Sequence, residues 1–267
     1  MKRLYRLFVA LALGTSVLSA CGKENPEEDK AENQNNLLDI LYRNGRTDRD
    51  ISIKSTAKGK TMKYSVWMPK DYDASKKYPF LYLLHGYGDD NNSWLDKGNT
   101  AAIATQYIDM GGEDMIIIMP DGLTDFYMGA FETYMYEELM PEVESLYPFN
   151  GKRAVAGLSM GGFGTLYYAL GHPEMFEYAY SMSPAVFEDM EGMVDVVADK
   201  SVFPTITIEV GEQDMTVNNA TSKNLADKLI EKGLNCEYIS RSGSHDWKFW
   251  QECLPKALKK AGEAFKE

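Results

Sequence analysis

From Phe80 to Leu84 this chain is apolar at every position, with no polar residue to mark a solvent-facing side. A strand with one wet face alternates apolar and polar residues. An unbroken apolar run is therefore buried on both faces, which is the condition of a parallel sheet covered by helices. The same character returns in "DMIIIMPDG", "RAVAGLS", "EYAYSMSP" and "TITIEVGEQD", and more weakly in "NCEYISRSG". Helix-length segments follow these runs near 97–109, 131–147, 160–170, 188–198, 219–232 and 248–265. Buried strands alternating with helices predict an α/β domain with a mostly parallel central sheet and helices on both faces. One stretch differs in kind: "ISIKSTAKGKTMKYSVWMPKDY" alternates on either side of "KGK", which predicts an antiparallel hairpin at the N-terminal edge of the sheet.

That domain is expected to run from residue 48 to residue 267, and the 44% hydrophobic content is enough to give it a substantial core. Residues 1–20 read instead as a signal peptide. Lys2, Arg3 and Arg6 form a basic start, Leu7 to Leu13 an apolar stretch too short to span a bilayer, and small residues precede Cys21. "LSAC" resembles a bacterial lipobox, which implies a lipid on Cys21 and an outer-membrane location, periplasmic or surface-exposed. Residues 21–47 open with the acidic, polar "GKENPEEDKAENQNN", which cannot bury a core and is expected to be a flexible tether. "NNLLDILYRNG" adds a short helix ending at Gly45. The formal charge of −12 argues against nucleic acid or an anionic membrane surface as a partner, leaving a lipid anchor as the expected membrane link. Beyond Cys21 only Cys236 and Cys253 remain, and both a disulfide and two free thiols fit the sequence.

Gly157-Leu158-Ser159-Met160-Gly161 is a G-x-S-x-G pattern, which alone arises by chance in roughly one chain of this length in ten. Its setting gives it weight. Ser159 falls between a buried strand and a helix, at the carboxyl edge of the sheet where functional loops gather. A serine hydroxyl needs a general base, and the chain has three histidines. His85 opens the loop "HGYGDD" and is expected to hold it, while His172 ends a helix as a cap or surface residue. His245, in the loop before the last helix, follows Ser159 at the right edge of the sheet and is the expected base. For the acid that orients the base, the loop after "TITIEV" offers Asp214, with Glu212 as the alternative. The oxyanion donors are expected to be the N–H groups of Met160 and of Tyr87 in "HGYG".

With these residues in place, the chain from about residue 50 onward resembles the esterase-D-like group of α/β-hydrolases. More narrowly it is similar to the carbohydrate esterase family 1 type, which includes feruloyl and acetyl xylan esterases. The resemblance rests on "GKTMKYSVWMPKDYD", "YPFLYLLHGYGDD", "FETYMYEELMPEVESLYP", "AVAGLSMGGFGTL", "IEVGEQD" and "GSHDW", in family order. It implies an α/β-hydrolase fold, Ser159, Asp214 and His245 as nucleophile, acid and base, and no essential metal or organic cofactor. It also implies a serine esterase that removes feruloyl or acetyl groups from plant polysaccharide or oligosaccharide. The same three residues would equally serve a siderophore- or peptide-ester hydrolase, and a non-catalytic glycan-binding module is the reading from another class. Phe126, Tyr127, Phe131, Trp247 and Trp250 are placed near the rim, with Trp247, Phe126 and Tyr127 as substrate contacts and Trp250 able to serve as core. "LTDFYMGA" is short beside many members of the family, which leaves the acyl preference open.

Overall fold

The computed structural model describes residues 43–187, 190–197 and 202–267. The expected signal peptide, Cys21 and nearly all of the expected tether, with its expected short helix, lie outside the described residues.

Eight strands form one sheet: β1 (Arg46–Ser55), β2 (Lys60–Met68), β3 (Tyr78–Leu84), β4 (Ile116–Pro120), β5 (Phe149–Leu158), β6 (Tyr178–Met182), β7 (Thr205–Gly211) and β8 (Cys236–Arg241). Their spatial order is β1-β2-β4-β3-β5-β6-β7-β8. β1 pairs antiparallel with β2, and β2 antiparallel with β4, so the predicted edge hairpin is present; every other pairing is parallel. The helices among the described residues are α1 (Ser93–Asp96), α2 (Thr100–Asp109), α3 (Ala130–Thr133), α4 (Met140–Leu146), α5 (Met160–Gly171), α6 (Met190–Val197), α7 (Asn219–Glu231) and α8 (Trp247–Ala264), with a π-helical turn at Tyr134–Leu139.

The continuous apolar runs do what their pattern requires. In β3, Phe80, Tyr82 and Leu84 enter a core shared with the helical run Ala130 to Leu146 and with α5, α6 and α7. Leu81 and Leu83 point to the other side, into a second core with Trp94 of α1, Ala104 of α2 and one face of α8. In β4, Ile116 and Ile118 face the first core while Ile117 and Met119 face the second. Successive side chains on a strand point to opposite faces, so only a strand apolar at both parities serves two helical layers. This is the α/β-hydrolase class of architecture, with helices on both faces.

Two boundaries differ from the sequence reading. The helix expected over 97–109 starts only at Thr100, because Asn99 before it adopts a left-handed backbone with φ of 52°. The helix expected over 131–147 is interrupted by the π-turn. Parallel register then sets the functional edge. Leu84 lies opposite Gly157, Leu158 opposite Met182, and Gly211 opposite Arg241, so the loops leaving β3, β5, β7 and β8 emerge along one edge.

Candidate active site

Ser159 sits on the turn from β5 into α5 with φ of 53°, a left-handed conformation that a serine adopts only when its surroundings impose it. The surroundings are tight. A Cβ on Gly157 would lie 2.3 Å from the carbonyl oxygen of Gly161, and one on Gly161 would lie 2.4 Å from that of Leu84. Strand and helix therefore approach only because these positions lack side chains. The turn is held from both ends. The Ser159 N–H donates to Met182 at 2.9 Å, and the Ser159 carbonyl accepts from Phe163 at 2.9 Å and Ala185 at 3.2 Å.

His245 Nε2 lies 2.9 Å from Ser159 Oγ, across 86 residues of sequence, and its Nδ1 lies 2.7 Å from Asp214 Oδ2. Asp214 Oδ1 accepts from the N–H groups of Thr216 at 2.9 Å and Val217 at 3.2 Å, which leaves Oδ2 aimed at the ring. A carboxylate offers only acceptors, so the neutral imidazole carries its hydrogen on Nδ1 and presents a free lone pair at Nε2 to the serine. Glu212 is exposed, and its N–H is bonded to Arg241, so it takes no part in this chain of bonds. Gln213, which the sequence did not mark, ties the acid and base loops together. Its side-chain oxygen accepts from the Gly243 N–H at 2.7 Å, and its own N–H donates to Gly243 at 2.9 Å.

Met160 is the first residue of α5, so its N–H has no acceptor within the helix. The Tyr87 N–H meets no acceptor among the described residues. The preceding Gly86 is close to the serine, since a Cβ built there lies 3.6 Å from Ser159 Cβ. Met160 thus adjoins Ser159 in the chain, and the loop that carries Tyr87 passes close to it.

An aromatic wall leads away from this point. Tyr87 pairs with Phe126 at 6.3 Å, Phe126 with Phe187 at 5.5 Å, and Phe163 lies beneath them at 5.9 Å from Phe126 and 5.0 Å from Phe187. Tyr87 and Phe187 are exposed and Phe163 is buried. Phe187 was not among the expected contacts, although its place in the loop after β6 is a signal that was available.

Tyr127 and Phe131 are not at the rim. Phe126 and Tyr127 both have left-handed backbones, with φ of 52° and 61°; Phe126 is half-buried on the edge of the core that encloses Tyr127. Tyr127 is fully buried, its hydroxyl donating to the His85 carbonyl at 3.0 Å, and Phe131 packs under it in the core. Trp247 is half-buried, edge-on to Trp94 at 5.3 Å and to Trp250 at 5.4 Å. The indole that meets the His245 ring, at 4.9 Å, is that of the buried Trp250. His172 ends α5 and pairs with Glu132 at 2.9 Å, away from the serine. Cys236 and Cys253 are free thiols. Burial pushes Cys236 up to about 12 and Cys253 higher still, which keeps both protonated and unreactive at neutral pH.

A family model described as "Putative esterase" matches residues 55–261. The "Endo-1,4-beta-xylanase/feruloyl esterase" of Xylanibacter ruminicola is 28% identical over 227 residues, covering 78% of this chain and 30% of that protein. The chain therefore spans less than a third of that relative's length. The "Acetyl esterase" of Caldicellulosiruptor saccharolyticus is 25% identical over 234 residues, 71% of this chain and 85% of the relative. Among solved structures, a CE1 ferulic acid esterase from Anaeromyces mucronatus in complex with ferulic acid superposes with a TM-score of 0.71 at 22% identity, covering 82% of this chain and 92% of that one. At that identity the likeness is one of fold.

Proposed function

The chain belongs to the esterase family, and from that membership we propose that it is a serine carboxylic-ester hydrolase that removes feruloyl or acetyl groups from plant polysaccharide such as xylan. The observation that carries the reading is the bonded series Asp214–His245–Ser159 beside two unpartnered backbone N–H groups. The names of the Xylanibacter and Caldicellulosiruptor relatives support the choice of acyl groups, and the aromatic wall from Tyr87 to Phe187 suits a planar phenolic acid.

The reaction runs through an acyl-enzyme. Ser159 Oγ adds to the ester carbonyl carbon as its proton passes to His245 Nε2, and the carbonyl oxygen takes up the negative charge between the N–H groups of Met160 and Tyr87. Asp214 holds the ring in its tautomer and stabilises the imidazolium that forms. Collapse of the adduct breaks the bond to the alcohol, which leaves with the proton from Nε2. Water then adds to the acyl-enzyme, giving its proton to His245, and the second collapse returns that proton to Ser159 and releases the acid.

Initial rates on methyl ferulate and on an acetylated xylo-oligosaccharide test the substrate, with Ser159→Ala as the control. Release of either acid that disappears in the variant is expected. Release of neither contradicts the substrate class.

The leader sequence supports a location as well. Cys21 carries a lipid that tethers the domain to the outer membrane. Cys21→Ala then moves the protein out of the membrane fraction with its esterase activity intact, and a variant still bound to membrane contradicts the anchor.

A further inference from the structure

His85 is buried at 1% exposure and takes no part in the bonded series that ends at Ser159. Its two ring nitrogens are nevertheless both engaged. The Gly122 N–H approaches Nε2 at 2.7 Å, and Nδ1 lies 2.7 Å from the carbonyl oxygen of Gly86. A backbone N–H can only donate, so Nε2 must be the acceptor. The neutral ring therefore carries its hydrogen on Nδ1 and donates it to Gly86. The Asp121 carboxylate also faces Nε2, but at 3.6 Å it lies beyond hydrogen-bond distance, and the two bonded partners set the tautomer.

The bond to Gly86 matters because of what lies in the same peptide plane. The Gly86 carbonyl and the Tyr87 N–H belong to one trans peptide unit and point in opposite directions. Whatever fixes the carbonyl fixes the N–H. We infer that His85 is a positioning residue for catalysis: by holding the Gly86 carbonyl it keeps the Tyr87 N–H turned toward the oxyanion that forms at Ser159. The inference rests on the esterase reading and on Tyr87 as a donor in it.

Two observations and one electrostatic argument support this role. The next residues along the loop do not hold the peptide by themselves, since Gly86 and Gly88 flank Tyr87 and only the Asp89 N–H, at 3.2 Å, shares the Gly86 oxygen. A rotated peptide would present a carbonyl to the developing anion in place of a donor, reversing the sign of the interaction. Finally, His85 is itself braced. Its carbonyl accepts the Tyr127 hydroxyl at 3.0 Å, and the Tyr127 carbonyl accepts the Tyr168 hydroxyl at 2.8 Å. The buried tyrosine that failed as a substrate contact thus supports the residue that aims the donor.

Two substitutions separate the ring's two bonds. In His85→Asn the side-chain amide nitrogen falls where Nδ1 was, so the donor to Gly86 is kept and the acceptor for Gly122 is lost. In His85→Gln the side-chain oxygen reaches the place of Nε2, so the acceptor is kept and the donor is lost. Turnover of 4-nitrophenyl acetate, a small ester that does not need the aromatic wall, is measured together with inhibition by phenylboronic acid. The boron adds Ser159 Oγ to form a tetrahedral adduct with a charged oxygen-bearing centre. His85→Gln is expected to lower kcat by about tenfold to a hundredfold with KM little changed, and to weaken the boronic acid by a similar factor. His85→Asn is expected to recover most of that loss. A His85→Gln enzyme with wild-type kcat and boronate affinity overturns the inference. Equal losses in both variants, in step with lowered melting temperatures, also overturn it and leave His85 a packing residue. A Ser159→Ala protein that still turns over the ester fails the esterase reading itself, whatever the His85 variants do.

Discussion

Phe187 lies two residues beyond Ala185, whose N–H is bonded to the carbonyl of Ser159, and it is 44% exposed against the buried ring of Phe163. An exposed phenylalanine beside a reactive serine gains by covering itself with an apolar acyl group. Phe126→Ala and Phe187→Ala are therefore expected to lower kcat/KM for methyl ferulate by tenfold or more, on the scale of about 1–3 kcal/mol for a lost apolar contact, with little effect on 4-nitrophenyl acetate. Equal losses on the two esters would contradict an acyl role for the wall. At this scale the sequence was informative about Ser159, Asp214 and His245, because their chemistry needs those residue types in that chain order. It was poor on Tyr127 and Phe187. Tyr127 is enclosed and Phe126 only half-buried at a left-handed turn, which no residue pattern announces.

The strands that carry acid and base are joined below their loops by a charged cluster. Glu209 of β7, fully buried, accepts from Tyr180 of β6, from Arg241 at the end of β8 and from Lys256 of α8 at 2.6 Å. Burial pushes its carboxyl up, but the bonds from Lys256, Tyr180 and Arg241 outweigh that and leave it below the ordinary value for a glutamate. A depressed folded-state value means stability that is present above about pH 4.3, the unfolded value, and is lost as the pH falls through the folded one. Glu209→Gln leaves Lys256 without its carboxylate and Arg241 with only the exposed Glu252 at 2.7 Å, and about 3 kcal/mol of stability is expected to go at pH 7. The gap to wild type should narrow as the pH falls below about 4.3 and through the depressed value in denaturant titrations; a gap that stays constant with pH would contradict this. The elements themselves were legible where burial dictated pattern, as in β3 and β4. The late helix start after Asn99 and the π-turn at Tyr134–Leu139 were not, because neither changes the apolar pattern.

Across the whole molecule, the parallel sheet with two helical layers followed from apolar runs without alternation, and the edge hairpin from alternation around "KGK". The same topology explains why residues at 85–87, 159, 214 and 245 meet: they sit in loops leaving the carboxyl ends of β3, β5, β7 and β8, which parallel register brings to one edge. The central claim is that Ser159, activated by His245, is the nucleophile. Its most direct test is kcat/KM for the better of the two esters in wild type and in Ser159→Ala, with melting temperature measured in parallel. A fall of about 10⁴-fold or more at unchanged melting temperature is the expected result. A folded Ser159→Ala protein that keeps a tenth or more of the wild-type rate would contradict it.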